Sequence, residues 1–158
     1  MFTKEQRGTF RYTIAHVLAF NVVALDLGVW KWKYLFHDAE KPWLMLFARI
    51  FYKDPYSKVQ RWHRAHNAHH LEYYKEATTK TKRRNINALE MILDWECSRF
   101  TKLASPLNAY AKFKKIECTL PEIVRVDLEH TLRLHGLWEG GPSNINKHVG
   151  IADINQNQ

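Results

Sequence analysis

From residue 4 to about residue 30, apolar side chains return every three or four positions, with Phe10, Ile14, Val17, Leu18 and Leu25 as the repeating set. At 3.6 residues per turn that spacing fills one face of an α-helix. A second helix is predicted after Lys31, carrying Trp32, Leu35 and Phe36 into His37 and Asp38. Pro42 suits a first helical turn, where its missing amide hydrogen costs nothing, and the apolar run 42–52 continues from it. Asp54-Pro55-Tyr56-Ser57 reads as a turn and then a cap for a helix over roughly 58–75.

A polar, basic connection at 77–84 precedes a helix predicted over 85–104, which Ser105-Pro106 stops. A short helix at 107–116 follows. Leu120-Pro121 opens the last one, reaching about Leu137 before Glu139-Gly140-Gly141-Pro142 ends it. No stretch alternates with the period of two that a half-buried strand shows. The expectation is an all-α fold: one helical bundle over 1–138 and a loosely held, Asn- and Gln-rich tail over 139–158.

Composition narrows the class. With 158 residues, 46% hydrophobic and 25% charged, the chain suits one domain with a substantial core rather than a disordered segment. The apolar stretch 14–30 is interrupted by His16, Asn21 and Asp26, so it reads as a buried helix with no membrane partner expected. Two cysteines without a CxxC pattern suit a reduced, cytoplasmic setting. The net charge of +8 favours anionic partners: a nucleotide or other small phosphorylated molecule, or nucleic acid. Lys82, Arg83 and Arg84 are its densest basic cluster and are candidate substrate contacts.

Four histidines, His63, His66, His69 and His70, fall within the string WHRAHNAHHLEYY. On one continuous helix His63, His66 and His70 form a stripe on one side. Buried imidazoles need partners for both ring nitrogens, and metal coordination supplies one. His37-Asp38 joins an imidazole to a carboxylate, a pair that suits a divalent transition metal. Glu90 and Asp94 share a helical face by their spacing. Asp94 stands among Met91, Leu93 and Trp95, where an unpartnered carboxylate would be expensive. His16 lies in the apolar run of the first helix.

In chain order these residues give His16, His37-Asp38, His63, His69-His70 and Asp94, an order that resembles the HD-domain superfamily of metal-dependent phosphohydrolases. The wording is similar still to an uncharacterised bacterial and phage family with YTxxH, HDxSK, HxxxNxHH and EMxxDW motifs. These stand here as Tyr12–His16, His37–Lys41, His63–His70 and Glu90–Trp95, with Glu40 where that family more often has Ser. The resemblance implies an HD-like helical domain in a bacterial cell or a phage-infected host. It implies one or two ions of Mn, Fe, Co, Ni or Zn held by His16, His37, Asp38 and Asp94, with His63, His69 and His70 for a neighbouring ion.

The activity it implies is hydrolysis of a nucleotide or related phosphoester. Lys41 would neutralise charge or protonate the leaving group, Glu40 would orient a ligand histidine, and Asn67 would contact substrate. The GYP loop of cyclic-dinucleotide phosphodiesterases is absent. A di-iron oxygenase of the same superfamily, and a nucleic-acid or nucleotide binder with a structural metal, are the alternatives.

Overall fold

A computed structural model describes residues 4–75, 87–101 and 108–140. They form seven α-helices and three short 3-10 turns, with no strand among the described residues. The fold is all-α, as the periodicity predicts. The helices are α1 (Lys4–Asp26), α2 (Glu40–Phe51), α3 (Pro55–His66), α4 (Leu71–Lys75), α5 (Ala88–Thr101), α6 (Ala109–Ile116) and α7 (Glu122–Leu134). No described helix is long and apolar enough to cross a membrane.

Helix α5 is the axis of the molecule. Every residue from Met91 to Ser98 is buried, so it is covered on all sides. Met91, Ile92 and Trp95 pack against Ala109 and Phe113 of α6 and Val124, Leu128 and Leu132 of α7. Leu93 and Cys97 turn the other way, onto Ala19, Phe20, Val23 and Ala24 of α1. Burying a large side chain of this kind contributes roughly 1.5–3 kcal/mol, so the two contact faces of α5 carry most of the apolar stabilisation. Glu96 is buried beside them, and its carboxylate accepts from Ala109 N at 2.9 Å, meeting the positive end of α6.

Helix boundaries follow local capping. α1 stops at Asp26, short of the predicted Trp30, because Gly28 takes a φ of +67° and Val29 N donates back to Ala24 O. α7 ends the same way, with Gly136 at +67° and Leu137 N on Leu132 O. Both are the left-handed glycine stop that satisfies the last helical carbonyls. Asp54 accepts from Ser57 N at the start of α3, and Asn108 from Ala111 N at the start of α6.

Two predicted helices are broken where the chemistry lies. Residues 32–36 are a 3-10 turn (Trp32–Phe36), held to α1 by Asn21. The Asn21 amide donates to Tyr34 O at 2.9 Å and accepts from Trp30 Nε1 at 2.7 Å, while Tyr34 packs edge-on against Phe20. The predicted helix over 58–75 is interrupted at Asn67, whose backbone is extended and whose amide group donates to His63 O at 2.9 Å. The Asn67 backbone N–H makes the last bond of α3, to His63 O at 3.1 Å, and the side chain adds a second donor to that carbonyl as the chain turns extended. Outside this frame α2 packs on α3 through a small cluster of Met45, Ala48 and Val59.

Candidate metal centre

Five separate segments deliver the candidate ligands. His16 comes from the middle of α1 and Asp94 from α5, on the seam where those helices pack. His37 and Asp38 sit in a tight turn rather than on a helix, correcting the helical expectation for this doublet. Ala39 N donates to Phe36 O at 3.1 Å, His37 has φ −55° and ψ 126°, and Asp38 has φ +60°. These are the angles of a type II turn, whose third position favours glycine or asparagine. An aspartate there carries backbone strain on the order of 1 kcal/mol, and in return the turn aims both side chains inward.

The break at Asn67 divides the histidine cluster. His63 is fully buried on the last turn of α3, and His69 and His70 follow in the turn before α4. His66 leaves the group: it is exposed, stacked on Trp62 with ring centroids 4.4 Å apart, with Nδ1 2.8 Å from Trp62 O. The predicted stripe of His63, His66 and His70 is therefore not formed.

The donors gather into two groups, Asp38 with His63, His69 and His70, and His16 with His37 and Asp94, each with its ligand atoms within 4.8 Å of one another. Asp38 links them. Its Oδ1 lies 3.0 Å from His63 Nε2 and 3.8 Å from both His37 Nε2 and His69 Nε2, while Oδ2 lies 3.6 Å from His16 Nε2. His16 Nε2 is also 2.9 Å from Asp94 Oδ1, and His37 Nε2 is 3.9 Å from it. Two ligands of one tetrahedral ion, each about 2.1 Å from it, stand roughly 3.4 Å apart, and these spacings bracket that value.

The polar atoms facing inward fit a cation. His37 Nε2, His69 Nε2 and His70 Nε2 are buried with no hydrogen-bond partner, and Asp38 Oδ1 and His63 Nε2 have none but each other. Each nitrogen left without a partner costs on the order of 1–3 kcal/mol, and three converge here beside the Asp38–His63 pair. Burial of His/Asp groups in this arrangement could hold a metal ion.

Groups behind the ligands hold them. Glu40 Oε1 lies 2.6 Å from His63 Nδ1, favouring the proton on that nitrogen, and Nε2 faces Asp38 Oδ1 on the inner side. Glu90 Oε2 approaches His69 Nδ1 at 4.0 Å and its other oxygen pairs with Lys33. Phe20 stacks on His37 at 3.9 Å, and Tyr12 stacks on His16 at 5.8 Å. Cys97 Sγ lies 3.5 Å from His16 Nδ1. Lys41 is bound to Asp38 Oδ2, and Asn67 Nδ2 stands 3.4 Å from Glu40 Oε1, on the wall of the site. Lys82, Arg83 and Arg84 lie outside the described residues.

Electrostatics prepare the donors. Burial by itself would raise the Asp38 pKa, but the His63 ring and then the charges of His37 and Lys41 hold it below the usual carboxylate range. Asp94, likewise opposed by burial, is held well below that range by His16 and His37. Burial first, and then neighbouring imidazoles, push His69 down to about 4 and His70 down to about 2. Both rings are thus neutral, the form that ligates metals. His63 moves the other way: burial lowers its pKa, but Asp38 and Glu40 outweigh it and raise the value.

One opening reaches this centre, with a volume of about 190 Å³, lined by Lys33, Phe36, His37, Asp38, Glu40 and His69 among others. Lys33 was not legible in sequence, because its pairing with Glu90 joins positions far apart in the chain.

Comparison of the chain with family models, with curated proteins and with solved structures finds no match in any of the three.

Proposed function

We propose that this chain is a metal-dependent phosphohydrolase acting on a nucleotide or related phosphoester. The observation that carries the reading is the convergence of four buried imidazole nitrogens, from His37, His63, His69 and His70, around Asp38, between two groups of metal-ligand type. In this reading His16, His37 and Asp94 would hold one divalent transition metal, and Asp38, His63, His69 and His70 would hold a second. Such ions supply Lewis-acid polarisation of a phosphoryl oxygen and a bound water of lowered pKa.

The protein's own groups do the rest. Glu40 favours the His63 tautomer with the proton on Nδ1. Neutral His69 and His70 offer lone pairs without first losing a proton. Lys33 is half-exposed at the opening and meets an incoming anion. Lys41, tethered to Asp38, places a cation where negative charge develops on the transferred group. An opening of about 190 Å³ admits a phosphoryl group and leaves the remainder of a nucleotide outside.

The test is a panel of nucleotides and phosphodiesters with Mn, Co, Ni, Mg and Fe. Hydrolysis that a chelator abolishes and Asp94→Ala eliminates supports the reading; hydrolysis that survives both overturns it. Two bound irons with oxygen consumption, in place of hydrolysis, would assign the same ligands to a di-iron oxygenase. Salt-sensitive nucleic-acid binding without turnover would assign the chain to binding alone.

A further inference from the structure

Helix α2 is apolar on nearly every side, yet only Met45 and Ala48 are buried. Its outer surface is a ridge of Trp43, Phe47, Ile50 and Phe51, exposed by 65%, 61%, 72% and 75%. A helix that is hydrophobic all round belongs inside a larger assembly. Underneath, the contact with α3 rests on one small cluster with Val59, too little to explain so much apolar sequence.

The ground on both sides of this ridge is concave. Between α2 and α1 runs a groove of about 350 Å³, lined by Phe10, Ile14, Leu18, Leu35, Trp43 and Leu46 among other residues, none of them charged. Between α2 and α3 runs a second, of about 530 Å³, where Leu44, Phe51, Val59, Trp62 and Ala65 form the apolar wall and Lys58 and Arg61 stand alongside. A convex apolar ridge flanked by apolar grooves is self-complementary. Related by a two-fold axis, the ridge of each copy seats in a groove of the other, as helix ridges do when they interdigitate.

We propose that this face joins two copies of the chain. The exposed side chains of the ridge and grooves offer on the order of 1,000 Å² per copy, taking roughly 150–250 Å² for a whole aromatic side chain. A stable interface needs about 800 Å² from each partner. A flat bilayer could cover the ridge but would leave both grooves unfilled, whereas the ridge of a second copy fills one. The interface is independent of the metal reading, although Glu40 and Lys41 on the first turn of α2 connect the two.

Sedimentation of the full chain between about 1 and 100 µM, a span reaching from tight to weak association, should show a species of twice the monomer mass. Phe47→Glu and Ile50→Glu should each weaken it at least tenfold while the helical circular dichroism is retained. Val126→Glu, on the exposed face of α7, should leave it unchanged. A wild-type monomer throughout this range overturns the proposal. So does an equal loss of dimer in all three variants, and so does a monomer that floats with phosphatidylserine vesicles, which would give the face to lipid. If Phe47→Glu unfolds, Ile50→Glu decides, since the outermost positions of the ridge support nothing beneath them.

Discussion

Glu40 Oε1 and His63 Nδ1 stand 2.6 Å apart, joining the first turn of α2 to the last turn of α3. The contact favours the proton on Nδ1, with the other imidazole nitrogen facing Asp38. It also makes α2 part of the site, although that helix supplies no ligand of its own.

Replacing that carboxylate should therefore weaken metal binding without disturbing the fold. Glu40→Gln keeps the shape and loses the charge, and a partner lost from behind a ligand typically costs roughly 10- to 100-fold in affinity. Calorimetric titration with Mn or Zn measures it. An unchanged affinity would show that His63 is positioned by packing alone.

Addition of the right metal should raise thermal stability, because the unfolded chain does not assemble these donors. At a free concentration about 100 times the dissociation constant the gain is about 2.7 kcal/mol. In a chain of this size that is an increase in Tm on the order of 5–10 °C. Differential scanning fluorimetry with Mn, Fe, Co, Ni and Zn ranks the ions, and Asp38→Asn should remove the shift for all of them.

At Asp38 the backbone makes a separate prediction. Asparagine tolerates a φ of +60° better than alanine does, since its short polar side chain compensates for the crowded Cβ. Asp38→Asn should thus be more stable than Asp38→Ala by about 1 kcal/mol. Both should fail to take up metal. Equal denaturation midpoints would mean that the turn relaxes once the carboxylate is gone.

The metal-free protein should lose stability as the pH falls below 6.5. His69 and His70 have folded pKa values of about 4 and about 2, below their ordinary 6.5, so the unfolded chain takes up protons first. The linkage slope is then positive: stability is complete above 6.5, declines towards pH 4 through His69, and declines further through His70. Asp38 and Asp94, also depressed, act in the same direction at the acidic end. His63, whose value is raised, opposes them, with its contribution present below 6.5 and lost as pH rises through its folded value. Urea unfolding of chelated protein across this range tests the balance; stability that rises on acidification would show His63 dominating.

The all-α class was legible because apolar residues recur at helical spacing, although in α1 the recurring Phe10, Ile14, Leu18 and Leu25 lie exposed and Ala19, Phe20, Val23 and Ala24 form the buried face. The ligand types were legible too, since Asp94 among large apolar residues and four histidines within eight positions are hard to explain otherwise. Local geometry was not legible. His37-Asp38 fits a helical pattern as readily as a type II turn, and only the tether from Asn21 to Tyr34 O and Trp30 shows that the helix cannot continue. His66 looked equivalent to His63, but the backbone turns extended at Asn67, so His69 and His70 enter from a separate turn and His66 stays outside. Neither event leaves a trace in the spacing of apolar residues.

The exile of His66 also bears on how the protein is made. In an unfolded chain it is as good a ligand as His63, His69 or His70, and all four are close in sequence, whereas His16 and Asp94 must be brought from far away. Metal met early would gather the four neighbours into a wrong knot that α3 cannot form around. Metal met after α1 and α5 have closed finds His66 already stacked against Trp62 on the outside. Refolding in chelator with the ion added last should therefore give more native protein than refolding with the ion present from the start.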